Sequence, residues 1–421
     1  MTNTKSTTPS EKPQVLRGFR DFLPLEKRQR DFVERKIQNV FERAGFAPLE
    51  TPTLEYASLL LGKYGAEADK LIYSFEDRGE RRIGLRYDQT VPTARVLVEY
   101  QNVLPKYFRR YQIQNVFRAD KPQKGRYREF KQCDCDLFGS TNTLADAEVL
   151  AVFANVYREI GFTDFVIELN DRQTLLATLS PFATPEVNVY SIIQSIDKLD
   201  KMTPAEVVTE LTQKGLETSA ASQAVRDIEK AEMSDNLSTI VQQTIALGVP
   251  AEVLKFNPKI ARGLDYYTGL IFEGKIPKYG VGSVGGGGRY DNLIRDLSGM
   301  ELPAVGFAVG FDRTVEAAVQ LGLVPQEGVG TQVLVTIFDE TLSTPALQAA
   351  AKLRAANIFT EVFPTVDKLG KQFKLADQKK IPYVLIIGEE EQRQGKVTLK
   401  EMASGEQRVV TIDEAIETLL S

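Results

Sequence analysis

The 421-residue chain contains no histidine. No side chain can therefore serve as an imidazole base, a proton shuttle near neutral pH or an imidazole metal ligand. Ser-His-Asp and Cys-His nucleophile systems are excluded, as are histidine-containing zinc sites. Cysteine is almost as scarce. The two present, Cys133 and Cys135, are too close together to staple a fold, and a C-x-C pair without histidine leaves a metal short of ligands. Long apolar runs are missing: nothing approaches the ~20 residues of a membrane span. Met1 to Gln14 is rich in Thr, Ser and Lys with no apolar segment, so residues 1–14 read as a disordered tail and not as a secretory signal. Together these absences predict a cytoplasmic protein with no membrane partner. Its chemistry is left to arginine, carboxylates, tyrosine, the backbone or the substrate.

What is present fits a globular enzyme of two or three domains, with 43% hydrophobic and 26% charged residues. A net charge of −5 argues against non-specific coating of nucleic acid, while leaving room for a local basic surface. Apolar residues at helical spacing (Phe32, Val33, Ile37, Val40, Phe41) predict a helix over Glu26–Ala44 that Gly45 stops. Short strands are expected between Ile83 and Leu137, a helix over Ala145–Ile160 and a strand over Phe165–Leu169. The composition shifts near Asp171, and helix formers then dominate to about Val253, the profile of a helical insertion. Strand and glycine signals return over Phe256–Gly310, followed by a helix over Arg313–Leu321 and a turn-rich linker, Gly322–Gly330. The last ninety or so residues alternate strand and helix, as a small α/β domain with its own core would. There strands are expected at Val333–Phe338, Tyr383–Ile387, Lys396–Met402 and Gln407–Thr411, and helices at Ala346–Ala356, Lys371–Lys380 and Ile412–Leu420.

Nine basic residues stand between Lys106 and Lys131 against two acidic ones, Asp120 and Glu129. The segment reads as strand, loop, strand: Tyr111–Arg118, Asp120–Arg126 and Tyr127–Phe138. Arginines gathered at such a turn suit a polyphosphate, because guanidinium makes bidentate bonds to phosphate oxygens. A solvated charged hairpin would carry the same composition. The second strand favours a site. Period-2 alternation puts Gln132, Asp134 and Asp136 on one face and Cys133, Cys135 and Leu137 on the other. A row of amide and carboxylates does not face a core unpaired; it can instead read an amine or a polar ring. By the same alternation, Arg86, Asp88 and Thr90 share a face, so Asp88 and Thr90 can enter one pocket.

The string Gly280-Val-Gly282-Ser-Val-Gly285 formally matches a dinucleotide fingerprint, but glycines continue to Gly288 where a helix should open. A strand that admits close approach of a ligand or another backbone is the better reading. Gly306 to Arg313 reads as a strand running directly into a helix, with an arginine in the first turn that can reach a phosphate or stack over a base.

These segments resemble one family. Gly45-Phe46 with Pro52 is similar to motif 1 of class II aminoacyl-tRNA synthetases. Phe117-Arg118-Ala-Asp120 with Arg128-Glu129-Phe130 is similar to motif 2, and the segment ending at Arg313 to motif 3. Arg262-Gly-Leu-Asp-Tyr266-Tyr267-Thr-Gly and Gly287-Gly-Arg289-Tyr-Asp291 resemble strings particular to histidyl-tRNA synthetases. The resemblance continues through Leu85-Arg-Tyr-Asp88-Gln-Thr90, Gln123-Lys-Gly-Arg126-Tyr-Arg128, Lys371 to Asp377 and Ile381 to Gly388.

It implies an α+β multidomain fold: an antiparallel class II sheet core flanked by helices, a helical insertion and a C-terminal α/β anticodon-binding domain. The boundaries expected are 15–171 and 255–325 for the catalytic core, 172–254 for the insertion and 331–421 for the last domain. The implied activity is ATP-dependent joining of L-histidine to tRNA(His) through an adenylate, in a homodimer, with Mg²⁺ accompanying ATP. Arg118 would hold the α-phosphate and Phe130 would stack on adenine beside Asp120. Arg126 and Arg313 would bind the outer phosphates. Asp88, Thr90 and Gln132 would take the amino group, and Asp136 and Tyr267, with Tyr266 beside them, the imidazole. Arg262 would contact both the carboxylate and the α-phosphate. Asp120 stands where motif 2 usually has Glu, and Lys131 where members often have His or Tyr; alternation puts Lys131 on the face away from the pocket. Asp88 and Asp136 replace a Glu found in some members. Two alternatives share parts of the pattern: a histidine-binding regulatory paralogue that charges no tRNA, and a purely structural or RNA-binding relative.

Overall fold

The computed structural model describes residues 13–61, 70–121, 127–261, 266–326 and 330–420. The expected tail therefore lies almost wholly outside the described residues. The chain divides into two compact units, residues 1–21 with 30–324, and residues 22–29 with 325–421.

In the first unit, the part of the helix Pro24–Arg43 from residue 30 on turns Val33, Ile37, Val40 and Phe41 inward at the i, i+4, i+7, i+8 positions of one face. It is released at Gly45, whose φ of 76° is left-handed backbone that glycine adopts without a Cβ penalty. The short strand β1 (Ala47–Pro48) follows. Strands β2 (Leu54–Tyr56), β3 (Ser74–Glu76) and β4 (Arg82–Leu85) make a small antiparallel sheet ordered β2-β4-β3. The arginine-rich segment forms the long pair β5 (Phe108–Phe117) and β6 (Glu129–Phe138). With β7 (Val166–Asp171), β8 (Leu254–Phe256), β9 (Leu270–Lys275), β10 (Ser283–Arg289) and β11 (Ala304–Gly310) they build an eight-stranded sheet ordered β1-β5-β6-β11-β10-β9-β7-β8. Its central strands, β5 to β7, are antiparallel, and the pairs at its two edges are parallel.

One face of this sheet is the core. The helix Thr143–Ile160 starts where the Asn142 side chain accepts the Leu144 N–H at 3.0 Å and ends at Gly161. It lays Phe153 against Phe272 and Phe307, with Tyr157 edge-on to Phe153. Burying aromatic rings at this density contributes about 1.5–3 kcal/mol each. A Cβ at Gly274 would lie 2.9 Å from the Phe153 ring, and one at Gly285 would lie 2.7 Å from the Tyr157 hydroxyl. Part of the glycine run is thus room for this helix. Cys133 and Cys135 are buried in the same core, as the alternation predicts, and burial pushes both thiols well above their ordinary range. Between β7 and β8 the chain is helical (Arg172–Leu179, Val189–Ile196, Pro204–Gln213, Thr218–Glu229, Asp235–Ala246), and the first four of these helices share an apolar cluster.

The second unit carries a five-stranded sheet of β12 (Val333–Val335), β13 (Thr360–Val362), β14 (Tyr383–Ile386), β15 (Val397–Glu401) and β16 (Gln407–Val410), ordered β13-β12-β14-β15-β16. Two differences from expectation have local causes. β12 stops at Val335, because the buried Gln372 side chain takes over both backbone groups of Ile337, at 3.0 and 2.8 Å. The three-residue edge strand β13 and the helix Glu389–Gln394 were not expected; both are too short to show a period.

Candidate active site

The other face of the large sheet opens into a cleft of about 1120 Å³, larger than most small-molecule pockets and roomy enough for a nucleotide beside an amino acid. Its floor follows from the strand register. Arg110, Asp136, Gly306 and Gly288 stand side by side across β5, β6, β11 and β10; the next row on the same face is Gln112, Asp134, Ala308 and Gly286. Polar side chains therefore occupy β5 and β6, while β11 and β10 offer almost none. A Cβ at Gly306 would collide with the Asp136 carboxylate, and one at Gly288 would lie 2.9 Å from the Tyr267 ring. The glycine run serves both sheet faces, clearing the helix on one and the cleft on the other.

Asp88, Thr90, Gln132, Asp136, Tyr266 and Tyr267 all line this cleft, as do Arg118, Asp120, Phe130 and Arg313. Ten residues spread over more than two hundred positions thus converge. Arg126 and Arg262 lie outside the described residues.

The strand expected over 85–90 is corrected. β4 ends at Leu85, and a helix, Thr90–Glu99, begins at Thr90. Pro92 sits in its first turn, where a missing N–H costs nothing. The connector is tied down from beneath. Arg86, 3% exposed, donates to Asn115 O at 2.6 Å and Thr51 O at 2.8 Å, and Gln89 donates to Gln114 O and Gln132 O at 3.1 Å each. Asp88 accepts the Val91 N–H at 3.2 Å while lining the cleft. Lys131 is a second correction. Its ammonium does turn to Glu34 of the Pro24–Arg43 helix, at 2.5 Å, yet the residue also borders the cleft at β6's outer end, beside Phe311.

The cationic end has defined geometry. Arg118 donates through Nε to Tyr87 O at 3.1 Å, and its guanidinium lies over the rings of Tyr87 and Phe130, at 4.4 and 5.1 Å. This packing fixes the plane of the fork and leaves its terminal nitrogens for a ligand. Arg313 projects from the first turn of the helix Phe311–Gln320 and donates to Ser283 O at 2.9 Å. The adjacent Asp312 is held by Arg20 at 2.7 Å and Arg30 at 2.6 Å.

The acidic end contains what sequence reasoning left unassigned. Arg110, 1% exposed, approaches Asp136 Oδ2 to 2.7 Å, an ion pair misaligned for a hydrogen bond. The Tyr290 hydroxyl donates to Asp136 Oδ1. Burial raises the Asp136 carboxyl, while Arg110 and the Tyr290 bond pull it back down. Asp134 rises further, to about 8: burial dominates, Asp136 and Asp88 add to it, and Arg110 and Arg118 only partly oppose it. Arg110, Asp134 and Tyr290 each had a signal: the basic run, the alternating row and the Gly287–Asp291 string. None of those signals says which partner each side chain meets.

Comparison with known proteins gives a consistent answer. A family model described as histidyl-tRNA synthetase matches residues 18–314, and one described as an anticodon binding domain matches residues 332–421. The chain is similar to the histidine–tRNA ligase of Cytophaga hutchinsonii, 38% identical over 97% of this chain and 100% of the relative. It is also similar to that of Wolinella succinogenes, 37% identical over 97% and 98%. Among solved structures it matches the histidyl-tRNA synthetase from Nostoc sp. PCC 7120 with a TM-score of 0.85 and 31% identity, covering 97% of this chain and 98% of that one. A Bacillus halodurans protein described as an ATP phosphoribosyltransferase regulatory subunit/histidyl-tRNA synthetase shares the fold, with a TM-score of 0.71, 22% identity and coverage of 90% and 98%.

Proposed function

Because the chain belongs to the histidyl-tRNA synthetase family, we propose how its cleft divides the work of that family's reaction. The enzyme is a histidine–tRNA ligase: it joins L-histidine to tRNA(His) at the expense of ATP, through a histidyl-adenylate. The observation that carries the assignment of roles is the polarity of one cleft, with arginines at one end and buried acceptors at the other.

At the cationic end, Arg118 binds the α-phosphate. Phe130 stacks on adenine beside Asp120, and Arg313, with Arg126 from the motif, holds the outer phosphates. The Arg118 guanidinium, fixed by ring packing, stabilises the charge that builds on phosphorus with little reorganisation. At the acidic end, Asp88, Thr90 and Gln132 receive the α-amino group. Asp136 and Tyr267, with the Tyr266 ring tilted against Tyr267 at 4.4 Å, receive the imidazole. Arg262, by its motif, bridges carboxylate and α-phosphate. The histidine carboxylate is already ionised at neutral pH, so its attack on the α-phosphorus needs no base. Transfer to the tRNA hydroxyl does need a proton acceptor, and the chain has no imidazole; a non-bridging oxygen of the adenylate phosphate takes that proton.

Among the described residues no group of three carboxylate or thiolate side chains could cage a metal ion. Mg²⁺ would accompany ATP as the counter-ion of its phosphates. Residues 172–254 act as an inserted helical domain between the two parts of the core, and residues 331–421 engage the tRNA. Leu54, Tyr56, Phe75, Tyr100, Val103 and Tyr107 are all large, apolar and exposed within one stretch after motif 1; covering them supports a homodimer. No helix among the described residues is long and apolar enough to cross a membrane, and the enzyme works in the cytoplasm, where its substrates are.

Histidine-dependent exchange of pyrophosphate into ATP, followed by charging of purified tRNA, tests the reading. Exchange and charging with histidine support it. Histidine binding without exchange would instead make the chain a regulatory paralogue.

A further inference from the structure

Three carboxylates, Asp88, Asp134 and Asp136, face the acidic end of the cleft. They are not in equivalent situations. Asp136 has the buried cation Arg110 and the Tyr290 hydroxyl. Asp88 accepts the Val91 N–H in the first turn of a helix. Asp134 is 6% exposed, and among the described residues it makes no ion pair; its Oδ1 is buried without a hydrogen-bond donor. Two residues along the same face of β6, Gln132 Oε1 is likewise a buried acceptor without a donor. A buried carboxylate lacking its cation costs several kcal/mol unless something supplies one. Its sheet neighbours cannot: Gln112 on β5 spends its Nε2 on Thr51 Oγ1 at 2.8 Å and on Gln114, and the neighbour on β11 is Ala308. Arg110 and Arg118 face it but only partly offset its burial, and neither makes an ion pair with it.

We propose that Asp134 binds the substrate's α-ammonium group, accepting one of its N–H bonds while Gln132 Oε1 accepts another. This rests on the histidine ligase reading above. An ammonium brings three donors and one positive charge, which answers both orphaned acceptors and the missing cation at once and leaves the third donor to be shared by Asp88 and Thr90. The end of the cleft follows from the charges around Asp134: Asp88 is close enough to raise its carboxyl, whereas the imidazole-facing Asp136 is already neutralised by Arg110. The groups facing Asp134 are Arg110 from β5, Asp136 on its own strand, Asp88 from the connector and Arg118 beyond the end of β5. With its carboxyl up at about 8 in the free protein, Asp134 is mostly protonated at pH 7. Arrival of the ammonium drives that proton off, so binding and proton release are coupled.

The test is calorimetric titration of wild type and Asp134→Asn with histidine and with 3-(imidazol-4-yl)propionate, which lacks the amino group. Removing one partner of a buried charge pair predicts a loss of at least about thirty-fold in histidine affinity. The deamino compound should bind both proteins within about three-fold. In buffers of different ionisation enthalpy at pH 7, wild type should release most of one proton more than the variant on binding histidine. Unchanged histidine affinity, equal loss for both ligands, or equal proton release overturns the proposal. Asp134→Ser replaces the asparagine variant if the latter does not fold. Wild-type pyrophosphate exchange separates the two failures. Its absence, with no histidine binding, would sink the ligase reading; its presence with an indifferent Asp134→Asn would sink only the role of Asp134.

Discussion

The residue that awaits a ligand should also be a liability in the free enzyme, and Asp134→Asn measures how large. The Asp134 carboxyl stands at about 8 in the folded, ligand-free protein against an ordinary 3.8. Below pH ~4 it is protonated in both folded and unfolded chains and contributes nothing. Between pH ~4 and ~8 the unfolded chain has given up this proton and the folded one has kept it. The folded state then binds more protons, and stability falls as pH rises, at up to about 1.4 kcal/mol per unit. Asparagine has no proton to keep. Relative to wild type, the variant should therefore gain about 2–3 kcal/mol between pH 5 and pH 7, and the gain should level off above pH 8. That is a sizeable share of a typical domain stability of about 5–15 kcal/mol. Urea unfolding of ligand-free protein at pH 5, 6, 7 and 8, followed by far-UV circular dichroism, reads it directly. Parallel stability–pH curves for the two proteins, or a variant that loses ground as pH rises, would refute the argument.

Three further outcomes follow from the same cleft. Arg262→Ala should abolish histidine-dependent pyrophosphate exchange while leaving the circular dichroism spectrum and melting temperature intact; near-normal exchange would remove its assigned role. Arg110→Met strips the cation from Asp136 and should cost about 3–5 kcal/mol in urea unfolding at pH 7. Adding Asp136→Asn should recover part of that loss, since the stranded charge goes with it; an additive double variant would show that the two do not interact. Gly306→Ala puts a methyl group where the Asp136 carboxylate lies. It should raise the KM for histidine by about ten-fold or more, with a much smaller change for ATP, and equal rises for both substrates would contradict the assigned geometry.

The strands and helices were legible in most places where a period had room to repeat, though not at the ten-residue helix Thr90–Glu99, which lies in a stretch read as short strands. The Pro24–Arg43 and Thr143–Ile160 helices, β5, β6 and the C-terminal alternation all show it. Legibility failed in short elements and where a side chain replaced a backbone partner, as Gln372 does at Ile337. It failed at residues 85–90 for another reason. Alternation of polar and apolar residues describes a strand and a tied-down connector equally well, and only the buried bonds of Arg86 and Gln89 distinguish them.

For the site, sequence by itself determined the chemistry available. A chain without histidine has no imidazole to offer, so any imidazole in this cleft must come from a ligand. Alternation likewise put Gln132, Asp134 and Asp136 on one face, because the pleat of a strand is a local property. Which of those acceptors already had a partner was decided only by tertiary structure. Arg110 lies across the hairpin and Tyr290 lies 154 residues away in the chain, yet both reach Asp136. Pairing of buried charges depends on distance in space, and strand register sets that distance. It is this register that satisfies Asp136 from within and leaves Asp134 for the ligand.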